Sequence, residues 1–230
     1  MLYHSVWSTI ISIEYSIMAG FLLFIFALVA GVAFYAVQYQ DPTLKGDIKV
    51  VKYNKDVEDL LINYQTVIGS DLEAYRNHIY RVLTYSLHIL GNDETYLPLI
   101  ATALVYHDIG LWTDHTLAYL EPSSHRATEG TKNTLLPDDV LLIQNIVYYH
   151  HKITPFEGPR AAVVNAVRRA DWIDATQGAV HQGMPKANIK KVYDEIPAAG
   201  FYECLQGFGP KLYGTDYWRI VSEMVSILKW

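Results

Sequence analysis

The residues able to do chemistry in this chain are histidines and aspartates set at wide intervals. His107-Asp108 closes the apolar run Ala103-Leu104-Val105-Tyr106 and is followed by Ile109-Gly110. A histidine beside an aspartate offers one neutral ring nitrogen and anionic oxygens at a single point, a donor pair suited to a divalent cation. Partners for it are present on both sides: His78 before, then His125, His150-His151 and Asp171 after. Taken singly, most histidines on apolar helices are packed or partly exposed side chains, and His4, His88, His115 and His181 keep that plain reading. Asp171 differs. It follows Val163, Val164, Ala166 and Val167 and precedes Trp172-Ile173, an apolar setting in which an acid is rare unless paired or metal-bound.

The elements that must carry these residues read as helices throughout. Residues 56–68 place Val57, Leu60, Leu61, Tyr64, Val67 and Ile68 at a helical period. Asp71 can cap a second helix that runs to about Leu90 and stops at Gly91; it carries His78. A third helix is expected over 94–108, with Pro98 near its first turn. Residues 109–124 read as a loop holding a Pro-Ser-Ser cluster, and a short helix is expected from His125 to about Leu135. Pro137-Asp138-Asp139 opens the next helix, which ends at Tyr149 or His151. A turn over 154–159 precedes an apolar helix over 161–176 that carries Asp171. The tail holds Gly and Pro breakers and a last helix over about 217–228. No strand alternates convincingly, so the expected fold class is all-α. Each candidate residue then lies on a different helix, and a bundle can turn all of them inward.

Composition narrows the function classes. The formal charge of −6 and the lack of a long basic run argue against a nucleic-acid-binding surface. The single cysteine, Cys204, excludes an intrachain disulfide and a cysteine-based zinc site. Hydrophobic residues make up 51% of the chain, and the N-terminus accounts for much of that. No charged residue occurs over 15–40, and the apolar core at 18–37 would span about 30 Å as a helix, the hydrocarbon thickness of a bilayer. A cleaved signal would need a basic leading region, and no Lys or Arg precedes Lys45. The expectation is a single-pass transmembrane helix within residues 1–40. A linker over 41–55 follows, with Asp41-Pro42 and Gly46 as breakers. A helical bundle with a C-terminal helical extension then covers 56–230. Lys45, Lys49, Lys52 and Lys55 follow the span whereas only Glu14 precedes it, so the C-terminal domain is expected on the cytoplasmic side.

His78 with Arg81-Val82, then His107-Asp108-Ile109-Gly110, then Arg169-Ala170-Asp171 resembles the HD-domain metal-dependent phosphohydrolase superfamily over about residues 56–180. The resemblance implies an all-α helical bundle. His125-Arg126-Ala127-Thr128-Glu129-Gly130 and Tyr149-His150-His151-Lys152 resemble the segments that bring two further ligands in its binuclear branch. The implied set is one metal on His78, His107, Asp108 and Asp171, and a second on His125 and His150 with Asp108 bridging. His151 is the alternative to His150, since one residue along a helix turns a side chain by about 100°. Two divalent ions are implied, and an all-nitrogen-and-oxygen set suits Mn, Fe, Zn or Co without choosing among them. The chain departs from the Gly-Tyr-Pro type of the superfamily, having Ile153-Thr154-Pro155-Phe156-Glu157-Gly158-Pro159 after the double histidine.

The reaction implied is metal-assisted attack of water on a phosphoester or phosphoanhydride of a small phosphorylated molecule, nucleotide-like substrates being one option. Asp108 would be the catalytic carboxylate. Arg81, Lys152 and Arg168 are the cationic candidates for the substrate phosphate, with Arg126 and Arg169 as further ones; Arg81 lies at i+3 from His78 and can share its helix face. Tyr106, Trp112 and Tyr148-Tyr149 flank the ligands and either stack on a base or fill the core. Two other enzyme classes use such a ligand set: mixed-valent di-iron oxygenases resembling inositol oxygenase, and hydratases of small nitrile-like substrates. A membrane-tethered nucleotide-binding module is the non-enzymatic alternative.

Overall fold

Asn54 begins the first helix by a device visible in its own chemistry. Its backbone is extended, and its side-chain oxygen accepts the Val57 N–H at 3.1 Å, which satisfies one of the donors that a helix start leaves open. The computed structural model describes residues 43–230, which lie in one compact unit of the chain. Helix α1 (Lys55–Leu61) passes through a 3-10 turn into the single turn α2 (Gln65–Ile68), which stops at Gly69 in a positive-φ conformation. The continuous helix expected over 56–68 is therefore broken. Ile62 and Val67 are exposed while Val57, Leu61 and Ile68 are buried, so the apolar stripe does not stay on one face of a straight cylinder.

Eight further helices and one single turn follow among the described residues. They are α3 (Leu72–Ile89), α4 (Leu97–Tyr106), the single turn α5 (Gly110–Thr113), α6 (Leu120–Thr131), α7 (Pro137–Tyr149), α8 (Ala161–Ala175), α9 (Lys186–Glu195), α10 (Phe201–Tyr213) and α11 (Tyr217–Ser226). No strand occurs among the described residues, and Lys152 and Lys229 form one isolated bridge. The fold is all-α, as expected. Helix α3 is its axis: Tyr75, His78, Ile79, Val82, Leu83 and Tyr85 are all buried, and its most extensive partner is α8. Helices α4, α9 and α10 pack on other sides of α3, and α7 bridges α4, α6 and α8. A helix apolar on nearly every side must be enclosed in this way.

Two stretches differ from the sequence expectation. The loop read over 109–124 contains α5 and the start of α6, because Pro122 falls in the first turn of α6, where a missing N–H costs nothing. Of the stretch read as a linker over 41–55, the described residues from 43 onward are laid against the bundle. Leu44 N–H donates to Gly183 O at 2.9 Å, Asn188 Nδ2 to Gly46 O at 3.0 Å, Lys191 Nζ to Ile48 O at 2.9 Å, and Val51 N–H to Thr84 Oγ1 at 3.1 Å. Ile48 is buried in the core. No helix among the described residues is long and apolar enough to cross a membrane, and the span expected over 18–37 lies outside the described residues.

Candidate metal centre

Helix ends and two helix interiors, those of α3 and α8, bring the chemistry together. His107 and Asp108 follow the last turn of α4, and His150 and His151 follow the last turn of α7. The last turn of a helix leaves carbonyls without intrahelical partners. Both helices use them alike: His107 Nδ1 lies 2.6 Å from Leu104 O, and His150 Nδ1 lies 2.7 Å from Val147 O. A carbonyl can only accept, so Nδ1 carries the proton in each ring and Nε2 presents its lone pair inward. His78, from the middle of α3, repeats the pattern with a side chain: its Nδ1 donates to Asp174 Oδ2 at 2.7 Å. Such hydrogen bonds behind a histidine orient it as a metal ligand.

The inward atoms converge. His78 Nε2 and His107 Nε2 lie 2.9 Å apart. With both Nδ1 atoms already donating, two lone pairs face one another unless a proton or a cation stands with them. Asp108 Oδ2 is 3.5 Å from His78 Nε2 and 3.2 Å from His107 Nε2, and Asp171 Oδ1 is 3.4 Å from His78 Nε2. On the other side, Asp108 Oδ1 is 3.3 Å from His150 Nε2, and Asp171 Oδ2 is 3.3 Å from His151 Nδ1. Asp108 Oδ1, His150 Nε2 and Asp171 Oδ2 are buried without a hydrogen-bond partner, so these short separations are approaches and not aligned hydrogen bonds. Orphaned buried donors and acceptors are costly, and Asp108 Oδ1 and His150 Nε2, 3.3 Å apart, fit a cation that would satisfy both. Two groups could each hold a metal ion: His78, His107 and Asp171, and Asp108, His150 and His151.

Charge points the same way. Asp108, Asp171 and Asp174 are all buried. Arg81 neutralises Asp174 by a paired contact, Nε to Oδ1 at 2.7 Å and Nη2 to Oδ2 at 2.9 Å, while its Nη1 donates to Pro197 O at 3.0 Å. Asp108 and Asp171 have histidines as their ion-pair partners. Burial alone would push their carboxyls up, but His107, His150 and His78 outweigh it and hold Asp108 well below the usual range. Burial is outweighed likewise at Asp171, first by His78, which holds its carboxyl at about 2. Burial disfavours the His78 cation, yet Asp108, Asp171 and Asp174 together raise its pKa well above the ordinary value. The pocket therefore attracts positive charge, as a proton or as a metal. His151 is the exception: burial and then His150 beside it lower its pKa to about 3, so it is neutral.

Aromatic residues frame the cluster. Tyr75, one helical turn before His78, accepts the Asp108 N–H at 3.3 Å, donates to Val105 O at 3.0 Å, and lies over the His107 ring with centroids 5.8 Å apart. Phe201, at the start of α10, stacks on His78 at 4.1 Å. Tyr119, just before α6, brings its hydroxyl to 2.5 Å from His151 Nε2. Burial, then the Asp108 and Asp171 charges, raise its pKa well above the ordinary phenol value, so the hydroxyl stays protonated.

Of the residues expected at the site, His78, His107, Asp108, His150 and Asp171 are brought together. His125 is not. It is exposed on α6, whose inward face is Ser123, Ala127 and Thr131 at four-residue spacing, and it belongs to neither group. His151, weighed as an alternative to His150, joins it instead of replacing it. Arg81 is enclosed and held by Asp174, and so supports His78 from behind rather than offering its charge to a substrate. Arg168 is buried and donates to Asn165 Oδ1 at 3.1 Å and to the carbonyls of Lys152 and Ile153. Lys152 is half-buried and donates to Thr154 Oγ1. Arg126 pairs with Asp114, Nε to Oδ2 at 2.8 Å. Tyr119, Phe201 and the partnership of Asp174 with Arg81 were not picked out from the sequence. Asp174 had a signal, since it lies one turn after Asp171 on the same face of α8; Tyr119 and Phe201, from segments read as loop and tail, had none.

Comparison with protein-family models, with curated proteins and with solved structures finds no match for this chain.

Proposed function

We propose that the protein is a metal-dependent hydrolase that uses activated water on a phosphoester or phosphoanhydride, with two divalent ions in the His/Asp cluster. The observation that carries this reading is the position of Asp108. Its Oδ2 turns to His78 and His107 and its Oδ1 turns to His150, so one carboxylate addresses both groups. A divalent ion bound there lowers the pKa of a coordinated water and supplies hydroxide near neutral pH. His78, His107 and Asp171 would hold one ion; His150, with Asp108 shared, would hold the other. Asp108 would orient the attacking water. His78, His107 and His150 keep their lone pairs on the cluster because each Nδ1 is already donating. Tyr75, Trp112 and Phe201, all buried, exclude bulk water from the inner side.

Hydration or hydrolysis of a small uncharged molecule is the second reading, and one observation favours it. Arg81 is committed to Asp174, and Arg168 donates to Asn165 and to backbone carbonyls, which removes two of the cations that a phosphate would call on. One experiment separates the readings. The purified protein is analysed for metal and then offered nucleotides, simple phosphoesters and small nitriles, with and without oxygen. Anaerobic phosphate release supports the first reading, and turnover of neutral substrates alone supports the second. Substrate-dependent oxygen uptake with bound iron would replace both with an oxygenase. Protein that folds normally and binds no metal would leave only a binding module.

A further inference from the structure

His150 and His151 are consecutive, yet both reach the cluster, and they do so with opposite nitrogens. His150 anchors Nδ1 to Val147 O and presents Nε2 to Asp108. His151 does the reverse, with Nε2 at 2.5 Å from the Tyr119 hydroxyl and Nδ1 at 3.3 Å from Asp171 Oδ2. The rotation of about 100° between neighbouring residues would normally send one of them away. Anchoring the far nitrogen of one ring and the near nitrogen of the other lets both rings address the same point, with centroids 4.1 Å apart.

We propose that Nδ1 of His151, set in place by Tyr119, completes the second metal position in the role that the family resemblance implied for His125. This rests on the reading of the cluster as a metal site. A neutral imidazole has one N–H. When Nε2–H donates to the Tyr119 oxygen, the Nδ1 lone pair points inward beside Asp171 Oδ2, an oxygen with no hydrogen-bond partner. Those two atoms are not aligned as donor and acceptor, and His151 offers a ring nitrogen within 4.8 Å of ligand atoms of Asp108 and His150, close enough for the three to share one cation. The Tyr119 hydroxyl can accept the Nε2–H of this tautomer or donate to Nε2 in the other, and a cation at Nδ1 would select the first. The Tyr119 ring is buried, and its backbone lies so near Gly110 that a Cβ at that position would come 2.8 Å from Tyr119 O. The glycine that follows His107-Asp108-Ile109 thus lets the Tyr119 turn close over the cluster. Ser123, one turn into α6, fastens the contact by accepting the Gly110 N–H at 2.9 Å. Tyr119 is a positioning residue here, acting through His151, and the exposed His125 has no part.

The test is calorimetric titration of the full purified chain with Zn²⁺ or Mn²⁺ alone, so that no activity is needed. The unaltered chain is expected to bind two equivalents. An asparagine amide lies where Nδ1 lies and a glutamine amide reaches to where Nε2 lies, so His151→Asn should keep the second equivalent and His151→Gln should lose it. Tyr119→Phe should weaken the second equivalent by about 10- to 100-fold, the usual effect of removing a partner behind a ligand, and leave the first unchanged. His125→Ala should bind like the unaltered chain. The proposal is overturned if His125→Ala loses the second equivalent, if His151→Gln binds as well as His151→Asn, or if the unaltered chain binds one equivalent only. Should the His151 variants fail to fold, Tyr119→Phe, which removes a single oxygen, decides alone. Loss of all metal binding by the folded, unaltered chain would overturn the hydrolase reading too, whereas two equivalents in every variant would overturn this inference and leave that reading standing.

Discussion

The two ligand groups of the cluster are supported in different ways. His78, His107 and Asp171 come from α3, the end of α4 and α8, and the most extensive helix contact in the structure joins α3 to α8. Behind His78 stands Asp174, and behind Asp174 stands Arg81, both buried and fully engaged. Asp108, His150 and His151 sit at helix ends, and their support is a carbonyl of α7 and a phenol from the turn before α6. One group is locked into the bundle core; the other depends on a turn staying closed. Ligands on rigid elements are held more precisely than ligands on turns, so the two groups should respond differently to perturbation.

Asp108 approaches the histidines of both groups, and on the proposed reading its loss should be the most damaging change. Asp108→Ala is expected to abolish metal-dependent turnover and to lower metal content at both positions, measured by elemental analysis; full activity in this variant would refute the shared role. Next in size is the first group's support. Arg81→Ala leaves Asp174 buried without its guanidinium and should cost about 3–5 kcal/mol in urea unfolding. A cost within about 0.5 kcal/mol would mean that the pair contributes nothing to the core.

Acid should release metal from both groups. The raised pKa of His78 means that the metal-free protein holds a proton there at neutral pH, and binding must expel it. Affinity therefore rises with pH up to that raised pKa, by about tenfold per unit for each proton released, and falls as the solution is acidified. Calorimetry in two buffers of different ionisation enthalpy would count the protons, and a count of zero would contradict the assignment.

Gly110→Ala sharpens the contrast between the groups. The added methyl meets backbone at Tyr119 O and the Ser123 hydroxyl, so the turn must shift, at about 1–3 kcal/mol. Metal binding at the Asp108–His150–His151 group should weaken while the His78 group is spared, as read in the two steps of a titration. The smallest effect is expected from Arg126→Ala. Its exposed pair with Asp114 contributes about 0–1 kcal/mol, and thermal unfolding should scarcely move.

The difference between the groups also marks what could be read from the chain. His78, His107, Asp108 and Asp171, the set the resemblance implied, lie together; for Asp171 the apolar residues around it already mark the inward face of α8. His125 lies outside both groups, on a helix that is polar and rich in small residues. Ser123, Ala127 and Thr131 turn inward and no large apolar side chain sets its phase, so its inner face follows from what it packs against. Arg81 looked like a phosphate ligand because it shares a helix face with His78; that same geometry delivers both to Asp174. The Pro-containing stretch before His125 was read as loop because Pro122 marks a break in most positions, and only its place in a first turn made it harmless.

By itself, the order of apolar and polar residues determined an all-α chain with a histidine-aspartate pair at a helix end and an acid on a buried face. Those are properties of local periodicity, and periodicity is written in the sequence. The tertiary structure decided which nitrogen of each histidine looks inward, that His151 joins His150, and that Arg81 stands behind the cluster. Those depend on partners from distant segments, Val147, Tyr119 and Asp174, which become neighbours only when the helices pack.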